Sequence, residues 1–386
     1  MIAVVTGVIA TYPVGGVAWD YGQYALGLER LGFDVYYLED SGLATYDADR
    51  NEYGEDPTYG LEFLQDCLGQ LSPTLGERWH FRHYDGRTYG LADDDLREVV
   101  AACDVFLNVS GLCRLREEYL PARRKVLIDT DPGWNHFHAF PRWDAELGSD
   151  DSRSFREHDS FFTYALRLGS AACVLPDLGL SWHPTVPPVV LDCWPLEPPG
   201  DRWTTVLTWD NYAKPVLHDG VAYGSKEPEL ARVEDLPRRV HPTLELAVGG
   251  SGAPRERFRE LGWSVIESVP VTQTMAAYRS YIGRSRGEFS VAKNIYVATG
   301  SGWFSCRSTC YLAAGRPVVL QDTGFSAVLP TGLGLVAFST PDQAVAGIEA
   351  VEADYAAHSK AARRLAEEHF SAERVLSDLL ARAGVS

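Results

Sequence analysis

The sequence predicts an α/β protein of two domains, each built on a parallel sheet, with the sheets facing a central cleft. Three observations lead there. The chain has 386 residues, more than a single hydrophobic core usually serves. Strand-length apolar runs alternate with helical runs along both halves, the pattern of βαβ units with parallel pairing. Between the halves stand Pro184, Pro187, Pro188, Pro195, Pro198 and Pro199, and proline at that density continues neither a helix nor a central strand.

In the first half, Ile2 to Val8 is an apolar strand, followed by a loop with Gly15-Gly16. Apolar residues then recur at helical period from Ala18 to Leu31, and Gly32 stops that helix. Asp34 to Leu38 is the next strand. Residues 41 to 57 are polar and rich in Tyr, Asp and Gly, and are expected as a long surface loop. Helices near Tyr59 to Leu71 and Asp94 to Cys103 and strands near Arg78 to Tyr84, Val105 to Val109 and Lys125 to Asp129 continue the alternation. The apolar runs of Val105 to Val109 and Lys125 to Asp129 suit strands buried on both faces.

After the prolines the alternation restarts. Strands are expected at Thr204 to Thr208, Leu244 to Val248 and Trp263 to Ile266, with helices at Pro228 to Leu236, Arg255 to Leu261 and Thr272 to Tyr281. A strand near Gly334 to Phe338 and a helix near Pro341 to Val351 follow, and the last ~30 residues, rich in Ala, Leu, Glu and Arg, are helical. Ligands of open parallel sheets bind at the carboxyl ends of the strands, so the cleft is where chemistry is expected.

Composition narrows the function classes. With 45% hydrophobic residues the chain can bury large cores. A formal net charge of −18 argues against a nucleic-acid or anionic-membrane partner. No apolar run approaches the ~20 residues that span a bilayer. The opening MIAVVTGVIA has no basic leader and is expected as a core strand. Seven cysteines without a CxxC pair suggest reduced thiols in a cytoplasm. Cys306 and Cys310, one helical turn apart, are expected to pack.

The most informative stretch is GSGWFSCRSTCYLAAGRPVVLQDTGF, Gly300 to Phe325. Small residues lead into a helix with Arg307 and Ser308 in its first turn. Gly315 ends it, a short apolar strand runs to Gln321, and Asp322-Thr323-Gly324 forms a polar turn. A helix N-terminus with free N–H groups and a nearby cation favours a phosphate. Asp322 arrives at the same sheet edge.

SGWFSCRSTCYLAAGRPVVLQDTGF resembles the donor-binding segment of GT-B glycosyltransferases, which use nucleotide-activated sugars. The resemblance implies two Rossmann-like domains: residues 1–195 for the acceptor, 196–356 for the donor, and 357–386 as C-terminal helices crossing back onto the first domain. It implies transfer of a hexosyl or deoxyhexosyl group from a nucleotide-diphosphate-sugar, a co-substrate rather than a resident cofactor, to a small-molecule acceptor such as a secondary metabolite. No metal is implied, since helix dipole and basic side chains neutralise the leaving diphosphate. Ser305, Arg307 and Ser308 would hold the diphosphate, and Asp322, Thr323 and Gly324 the sugar. Gly15 and Gly16 match a glycine pair set against the donor or acceptor. Lys214, in the loop TWDNYAK, would reach the diphosphate. Gly249 lies at the cleft edge, and Val271, in SVPV, sits where the nucleobase is held.

Catalytic candidates cluster in IDTDPGWNHFH, Ile128 to His138. Two carboxylates and two imidazoles in this short run are a dense set of proton-transfer groups. Asp131 is the first choice for a base deprotonating the acceptor and His136 the second. Asp20, one turn past Gly16, is a third, unless it only complements the helix dipole. Asp129-Thr130-Asp131 is formally DxD, but its place inside the first sheet argues against a metal role. Glu288 and Lys293 sit just before the donor-like turn. The E-x7-E pattern of a retaining subgroup is absent, because Tyr296 follows Glu288 eight positions on. The loop aromatics Tyr12, Trp19, Tyr21, Trp134, Phe137 and Phe140 suggest a planar acceptor. No GxxxxGK[ST], GxGxxG or GxSxG motif appears, which disfavours phosphate-loop, dinucleotide and hydrolase readings. A nucleotide-sugar epimerase of the same architecture and a non-catalytic two-domain binding protein stay open as alternatives. The nucleotide, the acceptor and the oligomeric state are not legible.

Overall fold

A computed structural model describes every residue except 49, 51, 149–150, 210–213 and 386. Two sheets organise it. The first has eight strands, in spatial order 182–184, 160–163, 125–129, 105–109, 2–6, 34–39, 79–82 and 88–90. All neighbours pair in parallel except the last two. The second has six parallel strands in the order 264–267, 243–249, 202–208, 287–290, 318–321 and 335–338. The proline-rich connector runs between Trp182–Pro184 and Arg202–Thr208. The fold is thus the expected pair of Rossmann-like sheets, built from strands buried on both faces.

Several elements depart from expectation. The first sheet does not stop at Lys125–Asp129. Ser160–Thr163 and Trp182–Pro184 extend it, and both are too short to show a period. The polar stretch after residue 41 contains a hairpin, Thr45–Asp47 paired with Glu52–Gly54. The run following Asp131 is helical, from Pro132 through a π turn (Asn135–Ala139) to Ala145. Gly287–Ser290 is a central strand of the second sheet.

The lobes touch over an apolar seam. One buried cluster runs from Ala3, Val5 and Tyr24 in the first lobe to Met275, Tyr278, Phe304 and Tyr311 in the second. The helix Gly15–Arg30 lies in this seam. Its Trp19 Nε1 donates to Met275 O at 2.9 Å, and its Gln23 Oε1 accepts from Val190 N and Trp194 Nε1 of the connector. The last helix, Ala372–Arg382, returns to the first lobe, and a Cβ on Gly27 would lie 2.6 Å from Leu376 Cδ1.

Gly15 and Gly16 find their use here. A Cβ on Gly15 would collide with the Thr274 carbonyl oxygen, and one on Gly16 would press on Tyr278 at 3.3 Å. Gly15 admits the second lobe's backbone, and Gly16 the Tyr278 ring, to the start of the helix. Gly15→Ala should therefore force the seam apart and destabilise by about 1–3 kcal/mol, the usual range for overpacking. A thermal midpoint equal to that of the wild type would refute this.

Candidate active site

The helix Cys306–Ala313 starts at the cleft. Its N-cap Ser305 has extended backbone and makes no side-chain cap, so the first-turn N–H groups keep their donor capacity. In front of it lies a shallow recess open to solvent, lined among others by Lys226, Trp303, Ser305, Arg307, Ser308 and Thr323.

The chemistry of this pocket is set by what is left unpaired. Arg307 is committed: Nε meets Glu288 Oε1 at 2.6 Å, Nη1 donates to Val206 O and Nη2 to Ser290 Oγ, both at 2.7 Å. Glu288 is fully buried and so orients Arg307, while its Oε2 has no partner among the described residues. Ser308 Oγ, also buried, has none among the described residues either. Lys226 is 8% exposed, and its ammonium makes no hydrogen bond or ion pair among the described residues. Burial, then the charges of Arg307 and Lys293, push it well below the usual lysine range. A desolvated cation beside a second cation is a poor structural element and a good anion receptor. Lys226 was invisible in the sequence, where polar turns such as YGSKEP are normally solvated; it follows the hairpin Val216–His218/Val221–Tyr223 and is buried.

The predicted catalytic residues separate into different settings. Asp131 bridges the lobes, accepting from Lys293 Nζ at 2.7 Å and from Tyr296 OH at 2.6 Å. Close by, Trp303 Nε1 donates to Thr130 O. His136 lies in the interior, its Nδ1 donating to Pro176 O at 2.6 Å and its Nε2 facing Asp129 Oδ2 at 3.1 Å. Buried Asp129 also accepts from Asn135 Nδ2 and Thr163 OH, so it ties the strand end to the following helix. Among the described residues no group of three His, Cys, Asp or Glu side chains is arranged to hold a metal. Asp20 is half-buried, faces Cys306 at the start of the pocket helix, and is raised by burial to about 6, the Cys306 thiol offsetting part of that effect.

The other expected residues lie as follows. Asp322 accepts from Gly324 N at 2.8 Å and Ser326 OH at 2.5 Å, which turns its carboxylate onto its own loop. Thr323 OH donates to Trp303 O at 2.7 Å, joining the two pocket turns, and Gly324 has φ +102°, as that turn demands. Gly249 lets the segment Ser268–Val271 approach, since a Cβ there would lie 2.7 Å from Ser268 Oγ. Val271 is half-buried beside exposed Val269. Lys214 is exposed, and the rest of its loop, 210–213, lies outside the described residues.

The aromatics expected at the acceptor side are mostly structural. Trp19, Tyr21, Phe137 and Phe140 are buried, and Phe137 stacks on His218 of the other lobe at 4.1 Å. Tyr12 stays at the rim, edge-on to Tyr53 of the hairpin. The loop carrying it is held by buried Glu39, which accepts from Ala10 N at 2.7 Å and Thr11 N at 3.1 Å and is raised by burial to about 7.

No protein-family model matches the sequence, and no curated protein's sequence does. Solved structures do match over the whole chain. HepE of Anabaena, solved with UDP and glucose, is 8% identical with a TM-score of 0.58, covering 100% of both chains. AviGT4, a glycosyltransferase involved in avilamycin A biosynthesis, is 15% identical with a TM-score of 0.56, covering 100% of this chain and 97% of its own. An α-glucosyltransferase solved with UDP is 11% identical with a TM-score of 0.54, covering 99% of both. Among the described residues no helix is long and apolar enough to cross a membrane. Twin parallel sheets, an uncapped helix at the cleft and these whole-chain matches together make the architecture of this chain the GT-B glycosyltransferase fold.

Proposed function

We propose that the protein transfers a sugar from a nucleotide-diphosphate-sugar to a small-molecule acceptor held by the first lobe. The observation that carries this is Lys226, a buried and unpartnered ammonium beside Arg307 and the uncapped helix start. A leaving diphosphate supplies the missing partner, and the same charges stabilise it as it departs. Ser308 Oγ and Ser305 face the same pocket. The segment Ser268–Val271 would hold the base, and the turn at Thr323 the sugar. Asp20 is the preferred base, because its carboxyl sits near the pocket helix with a pKa of about 6, suited to accepting a proton near neutrality. Asp131 would become available only if the cleft opened and released Lys293. A secondary metabolite as acceptor, transfer of a hexosyl or deoxyhexosyl group and a cytoplasmic location belong to this reading.

A thermal-shift panel of nucleoside diphosphates tests it. One base should raise the midpoint in a concentration-dependent way, since a ligand held at 100 times its Kd adds about 2.7 kcal/mol. A flat response to every nucleoside diphosphate would end the donor reading and favour the non-catalytic alternative.

A further inference from the structure

A further cation, from the opposite lobe, lies against the turns that carry the pocket residues Trp303 and Thr323. Arg167 follows the strand Ser160–Thr163 of the first sheet, and its backbone N donates to Ser301 O of the second lobe at 3.0 Å. Nearby, Val174 N donates to Thr299 O, so this stretch of the first lobe lies on the turn that opens the donor-like segment. The Arg167 side chain is laid on two glycines: a Cβ on Gly302 would meet its Cγ at 3.0 Å, and a Cβ on Gly324 would meet its Nη1 at 2.6 Å. Both glycines have positive φ. The two turns are joined by Gly302 N to Thr323 O at 2.8 Å, and their neighbours Trp303 and Thr323 line the pocket.

Among the described residues no side chain pairs with the guanidinium. Arg167 is half-buried, yet among the described residues its five N–H donors make no hydrogen bond or ion pair. The one carboxylate in the adjoining turn, Asp322, is occupied by Gly324 N and Ser326. An arginine that served only solubility would extend into water. This one is folded down over a glycine floor at the rim of a pocket that already holds an unpaired lysine.

We propose that Arg167 is an anion-recognising residue which the first lobe contributes to the donor pocket, where it pairs with an anionic oxygen group of the bound nucleotide-sugar. That group is either the phosphate next to the sugar or a carboxylate on the sugar. The proposal rests on the donor reading and adds a substrate contact supplied across the cleft. It also couples closure to occupancy, because the cation is delivered by one lobe and the rest of the pocket by the other.

Calorimetric titration of the wild type and Arg167→Met with pyrophosphate, UDP-glucose and UDP-glucuronate tests it. Met keeps the apolar stem on Gly302 and Gly324 and removes only the charge, so the thermal midpoint should hold. If the phosphate is the partner, the Met variant binds pyrophosphate about tenfold or more weakly. If a sugar carboxylate is the partner, pyrophosphate binding is unchanged. The wild type then prefers UDP-glucuronate to UDP-glucose by about tenfold, and the variant loses that preference. Arg167→Lys, which keeps charge without the fork, should fall between. Equal binding of all three probes by wild type and variants overturns the proposal alone. No binding of any probe by the wild type overturns the donor reading and this proposal with it.

Discussion

Lys226→Met should abolish measurable binding of the nucleoside diphosphate that stabilises the wild type, an effect of about a hundredfold or more. The estimate follows from losing a charge-assisted contact in a desolvated site, where such contacts are strongest. The same substitution should raise the stability of the free protein. The side chain is buried with no hydrogen-bond or ion-pair partner among the described residues, and its pKa is lowered well below 10.5, first by burial and then by Arg307 and Lys293. For a group whose folded pKa is depressed, the unfolded chain binds more protons, so stability rises with pH through the interval between the folded value and 10.5. The neutral Met variant lacks this dependence, and its advantage over the wild type should shrink as pH approaches 10.5.

Binding reverses the sign of the local field. A diphosphate beside Lys226 favours the charged form, so complex formation should take up protons in the pH range between the lowered value of the free protein and the higher value of the complex. Calorimetry in two buffers of different ionisation enthalpy measures that uptake directly. Proton uptake by the wild type that vanishes in Lys226→Met would assign it to this side chain. A variant that binds the diphosphate as tightly as the wild type would remove Lys226 from the site.

The two residues that matter most in these arguments, Lys226 and Arg167, are those that sequence inspection passed over, and the reason is physical. A lone Lys or Arg in a polar segment has the same local signature whether water or a pocket surrounds it. Only the tertiary placement, after the hairpin Val216–His218/Val221–Tyr223 and across from Gly302 and Gly324, distinguishes them. The helix Cys306–Ala313 and the strand Val318–Gln321 were legible because small residues and Gly315 bracket them. Most central strands were legible because burial on both faces demands unbroken apolar runs; Gly287–Ser290 was not, because buried Glu288 and Ser290 interrupt its apolar pattern. Gly15-Gly16 shows the converse. Its need for close approach was readable, but whether a ligand or the backbone at Thr274 does the approaching was not. In IDTDPGWNHFH the density of titratable groups was real, yet most of it builds structure: His136 and Asp129 bond to each other and to the surrounding chain.

That leaves Asp20 as the residue whose replacement should most reduce turnover. Asp20→Asn should slow release of nucleoside diphosphate from the preferred nucleotide-sugar by about 10²–10⁴-fold, the range for removal of a general base, with donor affinity unchanged. The residue differs from Asp131, whose carboxylate is engaged by Lys293 and Tyr296, in having a thiol, that of Cys306, as its hydrogen-bond partner. Its pH behaviour supplies an independent check. Burial raises the carboxyl from 3.8 to about 6, so its contribution to stability is complete below 3.8 and is lost as pH rises through about 6. Asp20→Asn should therefore match the wild type in thermal midpoint near pH 4 and exceed it at pH 8, while the wild-type rate falls on the acid side of about pH 6. Full turnover in the Asn variant would move the base to Asp131 and require the lobes to part before proton transfer, since only then is that carboxylate free of Lys293.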